Sequence, residues 1–251
     1  MKEYTLEQIK QQAPSVFTTS KASHLTDKYV QTPTSQVVED LMNMGWKVTD
    51  VKEVKARKNK GFQKHLVTFR NPEVIIRGKN GDDSFPQILL TNSHDGKNAF
   101  NFRVGIFRLI CSNGLVICDK EFNNISIRHI NYTFDTLREN INTIITKLPG
   151  LVEKINKFKS IELSAEQMVD FARKAADLRK QTLADIPTLL KAERKEDEGN
   201  DLWVVFNRLQ EKIVNGGYAY GKKDRKARAI KNFQHDIKIN EQLFELAESY
   251  I

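Results

Sequence analysis

His94-Asp95 is the pair in this sequence most like a piece of catalytic machinery. A histidine can take up or release a proton near neutral pH, and a neighbouring carboxylate can orient it or ligate a metal. His129, after Arg128, is a candidate second ligand. A metal-dependent nuclease or phosphohydrolase would use all three. The spacing argues the other way. There is no H-x-x-x-H or H-x-E pattern, so a metal site built on these residues is short of ligands. Asp95-Gly96 between two apolar runs is also a turn signal, and Asn92 and Ser93 strengthen it because their side chains bond to nearby backbone. We therefore expect a structural segment and assign no catalytic residue and no metal ligand.

Cys111 and Cys118 flank Asn113-Gly114, another hairpin signal, and Cys111 follows the apolar run Val104-Gly105-Ile106-Phe107. That setting predicts buried, reduced, unreactive thiols. Gly78-Lys79-Asn80-Gly81 lacks the context of a phosphate loop, and Gly216-Gly217 follows a helix pattern instead of opening one. No cofactor is expected.

The basic clusters point to chemistry of another kind. Lys52, Lys55, Arg57, Lys58, Lys60 and Lys64 crowd one expected hairpin, with Arg70, Arg77 and Lys79 beyond it. Phe62 and Phe69 are interleaved, as a base-stacking surface requires. Near the C-terminus Lys222, Lys223, Arg225, Lys226, Arg228 and Lys231 fall close together, opposed by Asp224 alone. Such clusters neutralise phosphates without reading sequence. The expected nucleic-acid contacts are Lys55, Arg57, Lys58, Lys60, Lys64, Arg70, Arg77, Lys222, Lys223, Arg225 and Lys226. Residues 218–231 read as a mobile lid freed by Gly216-Gly217, with Tyr218 and Tyr220 stacking on bases.

The elements that must carry these residues follow from periodicity. Residues 1–33 read as an arm with one short helix. Pro33-Thr34-Ser35 opens a helix whose Val37, Val38, Leu41 and Met42 share a face, and Gly45 ends it. Residues 46–54 alternate apolar and polar as a half-buried strand. Strands are expected at 65–69, 74–77, 88–91, 100–111, 115–118 and 125–130, with a loop at 78–86. From Asp135 the period becomes helical, with a capping box at Ser164–Gln167 and helices at 202–214 and from 227. The expectation is an α+β fold: a mixed or mainly antiparallel sheet in a β-rich core, 34–133, then a helical region, 134–251, packed on it. Alternating β-α units are missing, which excludes a doubly wound nucleotide-binding fold.

The whole chain has 251 residues, Lys+Arg 40 against Asp+Glu 32, and a net charge of +8. That surplus favours polyanionic partners. No apolar run is long enough to span a bilayer and the N-terminus has no signal-peptide core, so a cytoplasmic protein without a membrane partner is expected.

Several phrases carry a resemblance: Leu89-Leu90-Thr91-Asn92-Ser93-His94-Asp95-Gly96, then Arg108-Leu109-Ile110-Cys111-Ser112-Asn113-Gly114-Leu115, Ile127-Arg128-His129, Asn200-Asp201-Leu202-Trp203 and Phe206-Asn207. Together they resemble the DUF932 family, the phage/plasmid-like proteins of mobile elements. A looser likeness, over roughly residues 34–77, is to Rad52-like single-strand annealing domains, in which a hairpin sheet backed by a helix lines a basic groove in a ring. The combined expectation is a homo-oligomeric protein of a bacterial mobile element that binds single-stranded DNA in replication or recombination. The alternatives are the nuclease above and a counter-defence protein that docks on a host enzyme.

Overall fold

The structure, a computed structural model, describes residues 3–25, 31, 33–55, 60–75, 84–96, 100–108, 114–115, 126–127 and 133–251. The fold is α+β, with a sheet in the first half and helices in the second. The chain forms two compact units; it passes from the first to the second between Lys147 and Leu148, and residues 107–108 and 114–115 also group with the second.

The first unit opens with α1 (Leu6–Gln12). Thr5 and Gln8 cap it reciprocally, each side chain bonding the other's backbone N–H. A 3₁₀ turn follows over Pro14–Phe17, with proline at the position where no N–H is needed. Helix α2 (Thr34–Asn43) comes next, and Gly45 beyond its end takes φ +88°, which a side chain would resist.

The strands are β1 (Lys47–Glu53), β2 (His65–Arg70), β3 (Ser84–Asn92), β4 (Phe100–Arg108), β5 (Gly114–Leu115) and β6 (Ser126–Ile127). β1, β2, β3 and β4 lie side by side in that order, and β6 pairs with β4. The β1–β2, β2–β3 and β4–β6 pairs are antiparallel. A bulge between Val48 and Asp50 matters for packing. Val48 lies opposite Phe69 and Val51 opposite Val67, so the extra residue turns both valines to one face. That face continues through Leu90 and Ile88. Trp46, Val37, Val38 and Leu41 are buried as the sequence pattern required.

Two strand expectations change. Val74 and Ile75 are not in a strand, while β3 begins at Ser84, inside the stretch expected to be a loop. Pro86 had argued for a loop, but the ladder to β2 runs only from Gln87 to Asn92, so the missing N–H lies outside it. All nine residues of β3 are buried.

β1 is the outer strand of this order. The Tyr4 N–H donates to the Val48 carbonyl at 2.9 Å, and Gln12 Nε2 to the Val51 carbonyl at 2.6 Å. The N-terminal arm thereby occupies hydrogen-bonding positions on β1.

Helix α3 (Phe134–Ser160) is one continuous element with Pro149 inside it, beside the division between the units. The second unit holds the rest of α3, then α4 (Ala165–Asp177), α5 (Ile186–Leu190), α6 (Leu202–Asn215), the hairpin β7 (Ala219–Tyr220) and β8 (Arg225–Lys226), and α7 (Phe233–Glu248). Ser164, Asp185, Asp201 and Asn232 cap α4, α5, α6 and α7 with side-chain oxygens. Phe158, Phe206 and Phe244 form an aromatic cluster with centroids 5.2–6.5 Å apart, and Trp203 stacks on Phe206 at 5.7 Å. Long side chains of α6 hold the end of α5 and the stretch between the two helices. Arg208 donates to the carbonyls of Leu190 and Gly199, and Lys212 to those of Thr188 and Lys191.

Candidate nucleic-acid interface

The C-terminal basic tract is a pinned hairpin, not a loose lid. Tyr220 pairs with Arg225 and Ala219 with Lys226, across a turn in which Gly221 and Asp224 take positive φ. Residues 182–184 add a third rail: Gly221 N–H donates to Thr182 O at 2.8 Å, and Ala184 N–H to Ala219 O at 3.2 Å. Gly216 is a packing glycine. Its φ is +76°, and a Cβ there would stand 2.5 Å from the Ala227 carbonyl oxygen. Gly217 N–H bonds that same oxygen at 2.9 Å, and Ile230 N–H bonds Val214 O at 2.8 Å. Gly216 allows a close backbone approach where the sequence suggested a hinge, while Gly217 takes φ +98° with open space around it. Tyr218 is correspondingly 1% exposed and cannot stack on a base.

What the hairpin builds is a cleft of about 810 Å³, lined by Arg179, Gln181, Tyr220, Arg225, Lys226, Ala227 and Arg228. None of these described lining residues is acidic. Lys222, Lys223, Arg225, Lys226 and Arg228 are exposed. The Arg225 guanidinium lies 5.0 Å from the Tyr220 ring centre, a cation–π pair that presents a flat platform. Arg179, absent from the sequence-derived set, holds the floor. It donates to Ile213 O at the end of α6 and to Arg228 O, at 2.6 and 2.8 Å. The Tyr218 phenol donates to Gln181 Oε1, and burial pushes its pKa up while the nearby Arg179 charge pulls it back. Nothing in the sequence pairs position 179 with the basic tract; only the return of the chain from α6 does so.

The N-terminal cluster is partly in view. Lys55 and Lys60 are exposed, whereas Arg57, Lys58 and Arg77 lie outside the described residues. Lys64 is half-buried, and burial with the nearby charge of Arg103 lowers its pKa against the pull of Asp95. Arg70 packs over the Phe85 ring at 4.3 Å. Phe69 is fully buried, so it supplies core and not the stacking surface the sequence suggested. His129, Cys111 and Cys118 also lie outside the described residues.

His94 takes part in a feature that sequence reasoning missed. Ser15, Thr34, His65, Asn92 and His94 are all buried together. Ser15 Oγ lies 2.8 Å from His65 Nδ1, and Thr34 Oγ1 lies 3.0 Å from His65 Nε2 and 3.4 Å from His94 Nε2. Asn92 Nδ2 donates to the same Thr34 oxygen at 2.9 Å. The Gln63 carbonyl, 3.2 Å from His65 Nδ1, can only accept. Serving it puts the His65 proton on Nδ1, so Thr34 donates to His65 Nε2 and accepts from Asn92 and His94. Burial, then the adjacent His94, pushes the His65 pKa down to about 3. The imidazole is thus neutral at ordinary pH and fixes the start of α2 and the 3₁₀ turn to β2 and β3. Beside it, Asp95 accepts the Ser93 hydroxyl at 2.7 Å, and Gly96 at φ +73° packs on Leu25, as the turn reading expected. Residues so scattered in sequence leave no spacing signal. The one hint was the polar run Asn92-Ser93-His94 ending an apolar strand.

These features define an α+β protein with a buried histidine hub in one unit and a basic cleft in the other. The chain matches the family described as "Domain of unknown function (DUF932)" over residues 21–244, and belongs to it. It is similar to two curated proteins of Escherichia coli (strain K12), UPF0380 protein YfjQ and UPF0380 protein YafZ. Each is 28% identical over 257 residues, covering 98% of this chain and 91% of the relative. No solved structure matches. The family match spans Thr34, His65, Asn92, His94 and every cleft residue. No helix among the described residues is long and apolar enough to cross a membrane.

Proposed function

We propose that this protein binds nucleic acid, and that its ligand is single-stranded DNA handled during the replication or recombination of a mobile element in a bacterial cytoplasm. The observation that supports this reading most is the cleft under β7–β8: arginines and a lysine line it, a tyrosine sits among them, and none of its described lining residues is acidic. Cations neutralise backbone phosphates and an aromatic face stacks on bases, the combination by which proteins hold single strands. The exposed Lys55 and Lys60 add positive charge in the other unit. Homo-oligomerisation would multiply such contacts along one strand.

The test is a binding titration with single- and double-stranded DNA and RNA over a salt series. Affinity for single strands should fall linearly in log–log form as salt rises. Replacing Lys226 and Arg228 by glutamine should flatten that slope by roughly one to two units, about 0.7 for each phosphate no longer neutralised. Binding that is absent, or insensitive to salt, would refute the reading.

A further inference from the structure

We infer that Lys180 is a further nucleic-acid contact at the rim of the cleft, held there on a backbone conformation that suits glycine better. This rests on the nucleic-acid reading above and adds a residue from outside the basic tract. Among the described residues, two that are not glycine take positive φ: Lys180 at +55° and Asp224 at +46°. Both border the cleft. Lys180 stands between Arg179 and Gln181, and Asp224 precedes Arg225; all three of these neighbours line it. The Gly221 N–H, bonded to Thr182 O at 2.8 Å, holds the turn that carries Asp224 beside the stretch just after Lys180. Strain gathered at one place marks a site where the side chain matters more than an easy backbone.

The two positions differ in what explains them. Aspartate enters the left-handed region readily, because its short side chain bonds locally. Lysine has no such help. Lys180 follows α4, where its N–H donates to Asp177 O at 2.8 Å and the Gln181 N–H donates to Ala176 O at 3.2 Å. These two bonds belong to a helix ending whose left-handed residue is usually glycine, since a Cβ is disfavoured there. Glycine would make the same ending with less strain. What lysine adds is an exposed ammonium on a long stem. Arg179 beside it already directs donors to Ile213 O and Arg228 O. A phosphate at that end of the cleft is therefore met by the neighbouring lysine. Like charges crowded at the rim repel one another until phosphates neutralise them, so the arrangement favours the bound state.

The experiment measures oligothymidine binding over a salt series, together with thermal unfolding, for the full chain and three variants. Lys180→Gly relieves the strained φ, so its melting temperature should be no lower than that of wild type. Its salt slope should flatten by about 0.7, one phosphate contact on a single strand, which is roughly fivefold in affinity at about 0.1 M salt. Lys180→Arg returns the charge and should restore the slope. Asp224→Gly relieves the strain on the other side of the cleft and removes a negative charge, so it should bind more tightly. Opposite shifts in the two glycine variants separate charge from backbone. A wild-type slope in Lys180→Gly, an equal loss in Lys180→Arg, or a loss accompanied by a lowered melting temperature overturns the inference while leaving nucleic-acid binding intact. No binding by the wild type overturns the proposed function as well.

Discussion

Acid should weaken this protein through one side chain. His65 has an ordinary pKa of 6.5 that is pushed down to about 3 in the folded state. The unfolded chain therefore takes up the proton first. The stability tied to the neutral ring is fully present above about pH 6.5 and drains away as the pH falls toward about 3. At pH 5 the unfolded imidazole is mostly protonated and the folded one is not, a gap of about 1.5 units, which costs about 2 kcal/mol relative to pH 7.5. Urea unfolding followed by circular dichroism at the two pH values measures this. His65→Asn removes the titrating group, so the wild-type loss should exceed the variant's by about 2 kcal/mol. The other histidines are shared by both proteins and cancel. Ser15→Ala keeps the ring buried and should retain most of the wild-type slope. If wild type and His65→Asn lose stability in parallel, His65 is not buried in neutral form and the hub has been misread.

Two further outcomes can be checked together with it. Thr34→Val keeps the shape of the hub but strips its shared oxygen from Asn92 and both imidazoles, and should cost about 1–3 kcal/mol in the same unfolding experiment; a change within error would show that the oxygen carries no such role. Gly216→Ala places a Cβ against the Ala227 carbonyl at a φ that favours glycine, so it should loosen β7–β8. Faster amide hydrogen exchange at Gly217 and Ala227, with the helices unaffected, would register that loosening.

Where the sequence was legible, a local rule was enough. Alternation in residues 47–53 marked β1, the Ser164–Gln167 capping box marked α4, and Asp95-Gly96 marked a turn. The α+β order followed from the change of period. Misreadings came where tertiary contact overrode local character. Ser84-Phe85-Pro86 looks like loop, yet it is the buried start of β3. Tyr218 looks like a surface aromatic in a charged tract, but it is buried, with its hydroxyl on Gln181. Gly216 looks like a hinge because flexibility and close packing call for the same residue. The hub and Arg179 were invisible for a simpler reason: their parts meet only when distant segments return to one place.

The arm at the start of the chain has a consequence for self-association. Tyr4 and Gln12 satisfy carbonyls of β1 that would otherwise be open at the end of the sheet order. An outer strand with vacant rungs is a template on which another chain can build. A product beginning after Gln12 would keep the sheet's interior and lose this stopper, exposing a sticky border to its neighbours. The first dozen residues therefore bear on keeping copies apart at high concentration, a matter of colloidal behaviour separate from what the cleft binds.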